Sequence, residues 1–220
     1  MANEKKLFRE TRFYPVIFMM IVTIIFIGII AAFYHLSFRR VTDYRETQLK
    51  KMVLSTFNLP TEDSEANFGK YIRIRNEDGL LHYEAVVDSS LLGYCFPLTG
   101  SGLWGTITAL LAVTPDFEKI INLEIVGQNE TPGLGGRITE KWFKDQFGGK
   151  RLLQNEMIIN FRLIAETETA GSDQINQITG ATASSKAVTE MIFKNMKKYF
   201  SQKRTENISA NKQQVRIEEE

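Results

Sequence analysis

The chain has one cysteine, Cys95, and two histidines, His35 and His82, among 220 residues. A single cysteine excludes an intramolecular disulfide, a four-cysteine iron–sulfur site and a Cys-x-x-Cys-His haem attachment. The two histidines stand alone, so no cluster with metal-ligand spacing exists. An electron carried by this protein therefore needs an organic cofactor. A dominant charge is also missing. With 27 basic and 26 acidic side chains the formal net charge is +1, which argues against a general nucleic-acid binder. No internal repeat is present.

Hydrophobic residues make up 43% of the chain, enough to build a core. They are unevenly placed. Residues 1–12 are polar and mostly basic, and from Phe13 to Phe38 there is no charged side chain. As a helix rising ~1.5 Å per residue, that stretch is long enough to cross a hydrocarbon core of about 30 Å. Phe13, Tyr14, Phe33 and Tyr34 place rings near its two ends. Its length argues against a cleaved signal peptide, and its all-round apolarity against a buried core helix. Basic residues flank it on both sides, so charge alone does not orient it.

The pattern predicts a juxtamembrane helix over 39–60, an acidic linker at Thr61–Asn67, and strands at 71–75, 80–87, 106–113 and 119–126. It predicts glycine-rich loops at 93–105 and 128–137, a short helix over 139–147, and one strand or a strand pair within 152–164. Pro132-Gly133 fits the two central positions of a type II turn. A helix follows to about Phe200, and 201–220 reads as a polar tail. The fold class is α+β: one transmembrane helix, then a soluble domain over 61–200 with an antiparallel-type sheet and flanking helices.

The chemistry concentrates where a loop enters the last helix, at Thr179-Gly180-Ala181-Thr182-Ala183-Ser184-Ser185. Small residues and hydroxyls at a helix N-terminus suit an anion. The plain alternative is an N-cap by Thr182 or Ser184. Lys186 lies four residues past Thr182, where it can offset a phosphate charge. Leu103, Trp104 and Leu134 are candidate walls for a flat ring. The glycine-rich segments 100–105 and 131–136 can offer backbone N–H groups to its polar edge. Taken singly, each has a bland counterpart as core, turn or solvated surface.

Thr179-Gly180-Ala181-Thr182 resembles the (Ser/Thr)-Gly-Ala-Thr motif of the FMN-binding domain in the Rnf and Nqr redox complexes. Glu130-Thr131-Pro132-Gly133-Leu134-Gly135-Gly136 resembles a second signature of that domain. Gly102-Leu103-Trp104-Gly105 looks closer to the C subunit of Nqr, and 178–185 closer to the G subunit of Rnf. The resemblance implies FMN covalently esterified to Thr182 by a flavin transferase. It further implies Thr179, Gly180, Ala181, Ser184, Ser185, Lys186, Leu103, Trp104, Glu130, Thr131, Gly133, Leu134 and Gly135 around the cofactor, with no acid–base or nucleophilic catalytic residue. It implies other subunits of an ion-translocating oxidoreductase as partners, and a single-pass cell-membrane protein whose soluble domain is extracytoplasmic. One position departs from the motif: the acidic residue usual six places before the modified Thr is Asn176 here. The competing reading is a membrane-anchored ligand-binding or assembly module without a redox role.

Overall fold

The computed structural model describes residues 13–77, 79–154 and 157–218, so the expected polar N-terminus at 1–12 lies outside the described residues. It divides into two units, residues 1–48 and 49–220.

In the first unit, helix α1 (Tyr14–Thr56, continuing into the second unit) carries the apolar run. It is long and apolar enough to cross a membrane. Ile, Phe and Met side chains are exposed around its circumference. The Thr23 hydroxyl donates to the Met19 carbonyl at 2.7 Å, so this polar group is satisfied within the helix. The separate helix expected over 39–60 is the continuation of α1, since no Gly or Pro interrupts 39–56.

The second unit is built on a five-stranded antiparallel meander: β1 (Ile72–Glu77), β2 (Leu80–Val87), β3 (Ser90–Ser101), β4 (Thr106–Val113) and β5 (Ile120–Gly127), in chain order. β4 is apolar along its whole length because both its faces are covered. Leu110 and Ala112 join Val53, Leu54 and Phe57 at the end of α1 and just beyond it in one core, together with Tyr83, Ala85 and Cys95. Ile107, Ala109, Leu111 and Val113 face the other way, into a larger core with Phe143, Phe147, Val188, Met191, Ile192 and Met196. The two-residue period of a strand sorts these side chains onto opposite faces. The compact unit thus reaches back to Leu49, because the last two turns of α1 are part of the sheet's packing. Cys95 sits there fully buried, its thiol pushed up to about 12 by burial, so it stays a small apolar core group.

Two expectations need correction. The linker at 61–67 is in part a helix, α2 (Ser64–Tyr71), capped by Asp63, whose carboxylate accepts from the Ala66 N–H at 3.3 Å. The loop expected over 93–105 is mostly strand. β3 extends to Ser101 because it pairs residue for residue with β4, from Tyr94–Val113 to Ser101–Thr106. Only Gly102–Gly105 turns, with the Gly102 N–H donating to the Gly105 carbonyl at 2.7 Å.

Beyond β5 come a 3₁₀ turn (Gly135–Thr139), helix α3 (Lys141–Asp145), a short hairpin β6–β7 (Leu153–Gln154, Met157–Ile158), the parallel pair β8 (Arg162–Ile164) and β9 (Gln174–Asn176), and helix α4 (Thr182–Glu218). The helix expected over 139–147 is α3, shortened to Lys141–Asp145, with Thr139 ending the 3₁₀ turn before it. The expected tail continues as backbone helix to Glu218. Phe147 locks this segment under the sheet, edge-on to Phe143 at 5.7 Å and to Phe161 at 5.9 Å between ring centroids. Phe147→Ala leaves a cavity there and is expected to lower the unfolding free energy by about 3–5 kcal/mol, read from the urea midpoint of the full chain in detergent.

Candidate functional site

The two glycine-rich segments and the start of α4 meet at Glu130. This carboxylate is buried, 4% exposed. Its Oε1 accepts from the Leu103 N–H at 2.9 Å and the Trp104 N–H at 3.1 Å. Its Oε2 accepts a short bond from the Ser184 hydroxyl. The Glu130 N–H in turn donates to the Gln128 side-chain oxygen at 2.5 Å. One side chain therefore ties the 102–105 turn to the first turn of α4. The packing leaves no room beside it. A Cβ at Gly102 would collide with Oε1, and one at Gly135 would collide with Ser184 Oγ.

Two similar turns border this joint. In Thr131-Pro132-Gly133-Leu134 the Leu134 N–H donates to the Thr131 carbonyl at 3.1 Å, and Gly133 has φ +75°, as a type II turn requires. In Ile178-Thr179-Gly180-Ala181 the Ala181 N–H donates to the Ile178 carbonyl at 2.9 Å, and Gly180 has φ +79°. The Leu134 side chain comes against Gly180, with Cδ2 3.3 Å from where a Cβ would lie.

Thr182 begins α4 directly after the second turn and is exposed. The N-cap alternative does not describe this end. Thr182 and Ser184 are already helical, and Ser184 is spent on Glu130. Ser185, fully buried, donates to the Ala181 carbonyl at 3.1 Å and accepts from the Ile178 N–H at 3.0 Å. Of the four hydroxyl-bearing residues in the motif, Thr179 and Thr182 are exposed and Ser184 and Ser185 are buried. The first turn of α4 has no acidic residue of its own; the carboxylates that meet this end come from elsewhere, Glu130 on Ser184 and Glu166 on the Thr179 N–H.

Around it stand exposed apolar side chains: Leu103 at 60%, Trp104 at 70% and Leu134 at 46%. Exposed walls beside an exposed hydroxyl and a helix N-terminus fit a flat ring carrying a phosphate. One expectation changes: the Leu103 and Trp104 N–H groups go to Glu130, so they do not serve the polar edge of a ring. Thr131 is exposed on the same turn as Gly133, and Lys186 is exposed with its Nζ 3.6 Å from Glu190.

Sequence reasoning missed a further carboxylate. Glu166 Oε2 accepts from the Thr179 N–H at 2.9 Å, and its Oε1 lies 3.4 Å from the Arg137 guanidinium. Arg137 also holds Glu140 at 3.3 Å and lies over the Trp142 ring at 5.5 Å. No local pattern marks Glu166, because its partners lie 13 and 29 residues away. Arg137 follows the 130–136 signature directly. Asn176 is explained by the same region. Its Nδ2 donates to the carbonyls of Ala165 and Glu168, both at 2.7 Å. A carboxylate at 176 would set oxygen against those two carbonyls.

Residues 102–197 match the family model for the FMN-binding domain. The chain is 36% identical over 108 residues to the G subunit of the proton-translocating ferredoxin:NAD(+) oxidoreductase complex of Clostridium ljungdahlii, covering 49% of this chain and 54% of that protein. It is 28% identical over 148 residues to the C subunit of the Na(+)-translocating NADH-quinone reductase of Vibrio anguillarum, covering 67% and 56%. The chain thus spans about half the length of the curated relatives it matches. The fold is that of the crystal structure of the C subunit of the Na(+)-translocating NADH-quinone reductase from Parabacteroides distasonis, with TM-score 0.60, 23% identity and coverage of 70% of this chain and 92% of that one. Shewanella oneidensis NqrC gives TM-score 0.61 at 18% identity, covering 69% and 91%. The stretch that matches the FMN-binding domain runs from the Glu130-bound turn to the middle of α4.

Glu130→Ala strands two amides and a hydroxyl and is expected to cost about 2–4 kcal/mol in urea unfolding, and Glu130→Gln less, because its amide oxygen still accepts from both N–H groups. At Glu166, hydrogen bonds from the Thr179 hydroxyl and then the Thr179 N–H, and after them the Arg137 charge, hold the carboxyl below its ordinary range. With the folded value depressed, the contribution of this contact is complete above the unfolded value, ~4.3, and is lost as pH falls through the folded one. The Thr179 amide shift in NMR is expected to titrate with a midpoint below ~4.3, and to be flat in Glu166→Gln.

Proposed function

We propose that this chain carries FMN through a phosphoester on Thr182, as the flavin-bearing subunit of a membrane-bound, ion-translocating oxidoreductase of the ferredoxin:NAD or NADH:quinone type. The observation that carries the reading is the exposed Thr182 at the head of α4, between Gly180, against which the exposed Leu134 lies, and Ser184, which Glu130 ties to the backbone of the exposed Leu103 and Trp104. The names of the relatives support the setting.

FMN, when bound, supplies one- and two-electron chemistry that no side chain here has. The residues of the chain do the holding. Thr182 Oγ1 bonds to the phosphorus of a flavin pyrophosphate donor. The pyrophosphate P–O bond breaks, a nucleoside monophosphate leaves, and the hydroxyl proton passes to a base on the flavin transferase. Gly180 and Ala181 keep the approach to Thr182 open, and the α4 N-terminus and Lys186, one turn on and on the same helix face, oppose the phosphate charge. Thr179, Thr131 and Gly133 border the opening on the two turns. Glu130, Gly135, Ser184 and Ser185 act from beneath, by fixing the elements that carry the contacts. The ester prevents loss of the cofactor from an extracytoplasmic domain. The apolar run of α1 anchors the chain beside the other subunits of the complex, with the N-terminus cytoplasmic.

The test is an ultraviolet in-gel scan of the denatured protein from its native membrane. A fluorescent band is expected for the wild-type chain and none for Thr182→Ala. A band that persists in Thr182→Ala contradicts the attachment site. A wild-type chain without flavin favours the ligand-binding or assembly module.

A further inference from the structure

The Ile178–Ala181 turn delivers Thr182, and it is gripped from two sides. From the helix side, Ser185 Oγ accepts from the Ile178 N–H at 3.0 Å. From outside, Glu166 accepts from the Thr179 N–H at 2.9 Å. The first grip is internal to the motif and buried. The second comes from the 165–168 segment, which carries Glu166 to the turn only because other contacts hold it.

Those contacts form a chain. The parallel pairing of β8 with β9 sets Ile164 beside Asn176. Asn176 then donates to the carbonyls of Ala165 and Glu168, on either side of Glu166. Its own backbone is clamped by Gln146, which accepts from the Asn176 N–H at 2.7 Å and donates to its carbonyl at 3.2 Å. Arg137 holds one oxygen of Glu166, leaving the other aimed at Thr179.

From this arrangement we infer that Glu166 is a positioning residue for flavin attachment: its carboxylate, set by Asn176 and Arg137, holds the Thr179 N–H and so presents the Thr182 hydroxyl in the conformation the transferase accepts. The inference rests on the reading of Thr182 as the attachment site. Glu166 touches neither the flavin nor the reacting atoms. Its effect passes through the turn, whose central Gly180 at φ +79° has a wide choice of conformations when unheld. Misplacing a reacting hydroxyl by about 1 Å costs up to a hundredfold in rate.

The experiment measures initial rates of flavin incorporation into the full-length membrane-bound chain by its transferase, over a range of acceptor-chain concentrations. Four chains are compared: wild type, Glu166→Ala, Glu166→Gln and Asn176→Asp. Glu166→Ala is expected to lose between about ten- and a hundredfold in kcat/KM. Glu166→Gln is expected to recover much of that loss, because its amide oxygen can accept from Thr179. Asn176→Asp, which turns two donated bonds into oxygen–oxygen contacts, is expected to resemble Glu166→Ala. Thr179 amide exchange is read on the same chains and is expected to speed up in Glu166→Ala and not in Glu166→Gln. Incorporation into Glu166→Ala at the wild-type rate overturns the inference while leaving Thr182 as the site. Equal losses in the Ala and Gln variants, with no change in Thr179 exchange, also overturn it. No incorporation into the wild-type chain overturns the attachment reading and this inference with it.

Discussion

Glu130 is a carboxylate that the fold takes out of water and then surrounds with donors. Left alone, such a group would cost several kcal/mol to bury. Here it accepts from two consecutive backbone amides and a hydroxyl, and its own N–H is bonded to Gln128. The three donors come from segments on either side of it in the chain, at 103–104 and at 184, so the bond set also fixes how those segments lie. Gly102 and Gly135 are required by this closeness, since either Cβ would collide with the carboxylate or its partner. A site assembled from two turns and a helix end is held together at one buried charge.

The sheet sets where that charge can sit. β3 and β4 stay paired up to Ser101 and Thr106, so their connection is a four-residue turn at the end of the sheet. β5 runs back alongside β4 and delivers Glu130 three residues after its end. α4 covers the same face of the sheet through Val188, Met191, Ile192 and Met196, which brings its N-terminus to that edge. The apolar packing decides the approach, and the carboxylate decides the register. What remains exposed afterwards is selective: Leu103, Trp104, Leu134 and Thr182 face outward while Ser184 and Ser185 are consumed inside.

Much of this is legible in the sequence. β2 and β4 fall where alternation and apolar runs place them, at 80–87 and 106–113, and Pro132-Gly133 forms the turn its residues dictate. The glycine-rich segments and the Thr179–Ser185 stretch mark the parts of the site, because small residues and hydroxyls are needed wherever backbones come this close. Their division of labour is not legible. Whether a hydroxyl in Thr-Ala-Ser-Ser faces a ligand or a buried carboxylate depends on a partner 54 residues away in the case of Ser184. Glu166 has no local signal for the same reason. Asn176 shows the converse: it reads as a lost charge along the chain, and in space it supplies two donated bonds that an acid could not make. The strand end of β3 is hidden by its glycines, which mark a loop in isolation and are tolerated here because β4 pairs through them.

The most direct test is to locate the flavin by tandem mass spectrometry of peptides spanning 174–194 from protein taken from its native membrane. The flavin phosphate is expected on Thr182 alone. Among the other three hydroxyls, Ser184 and Ser185 are buried and bonded, and Thr179 lies in the turn before the helix. Flavin on Ser184 or Ser185 would contradict the Glu130 joint as described. Flavin on Thr179, or an unmodified peptide throughout, would contradict the assignment of Thr182 itself.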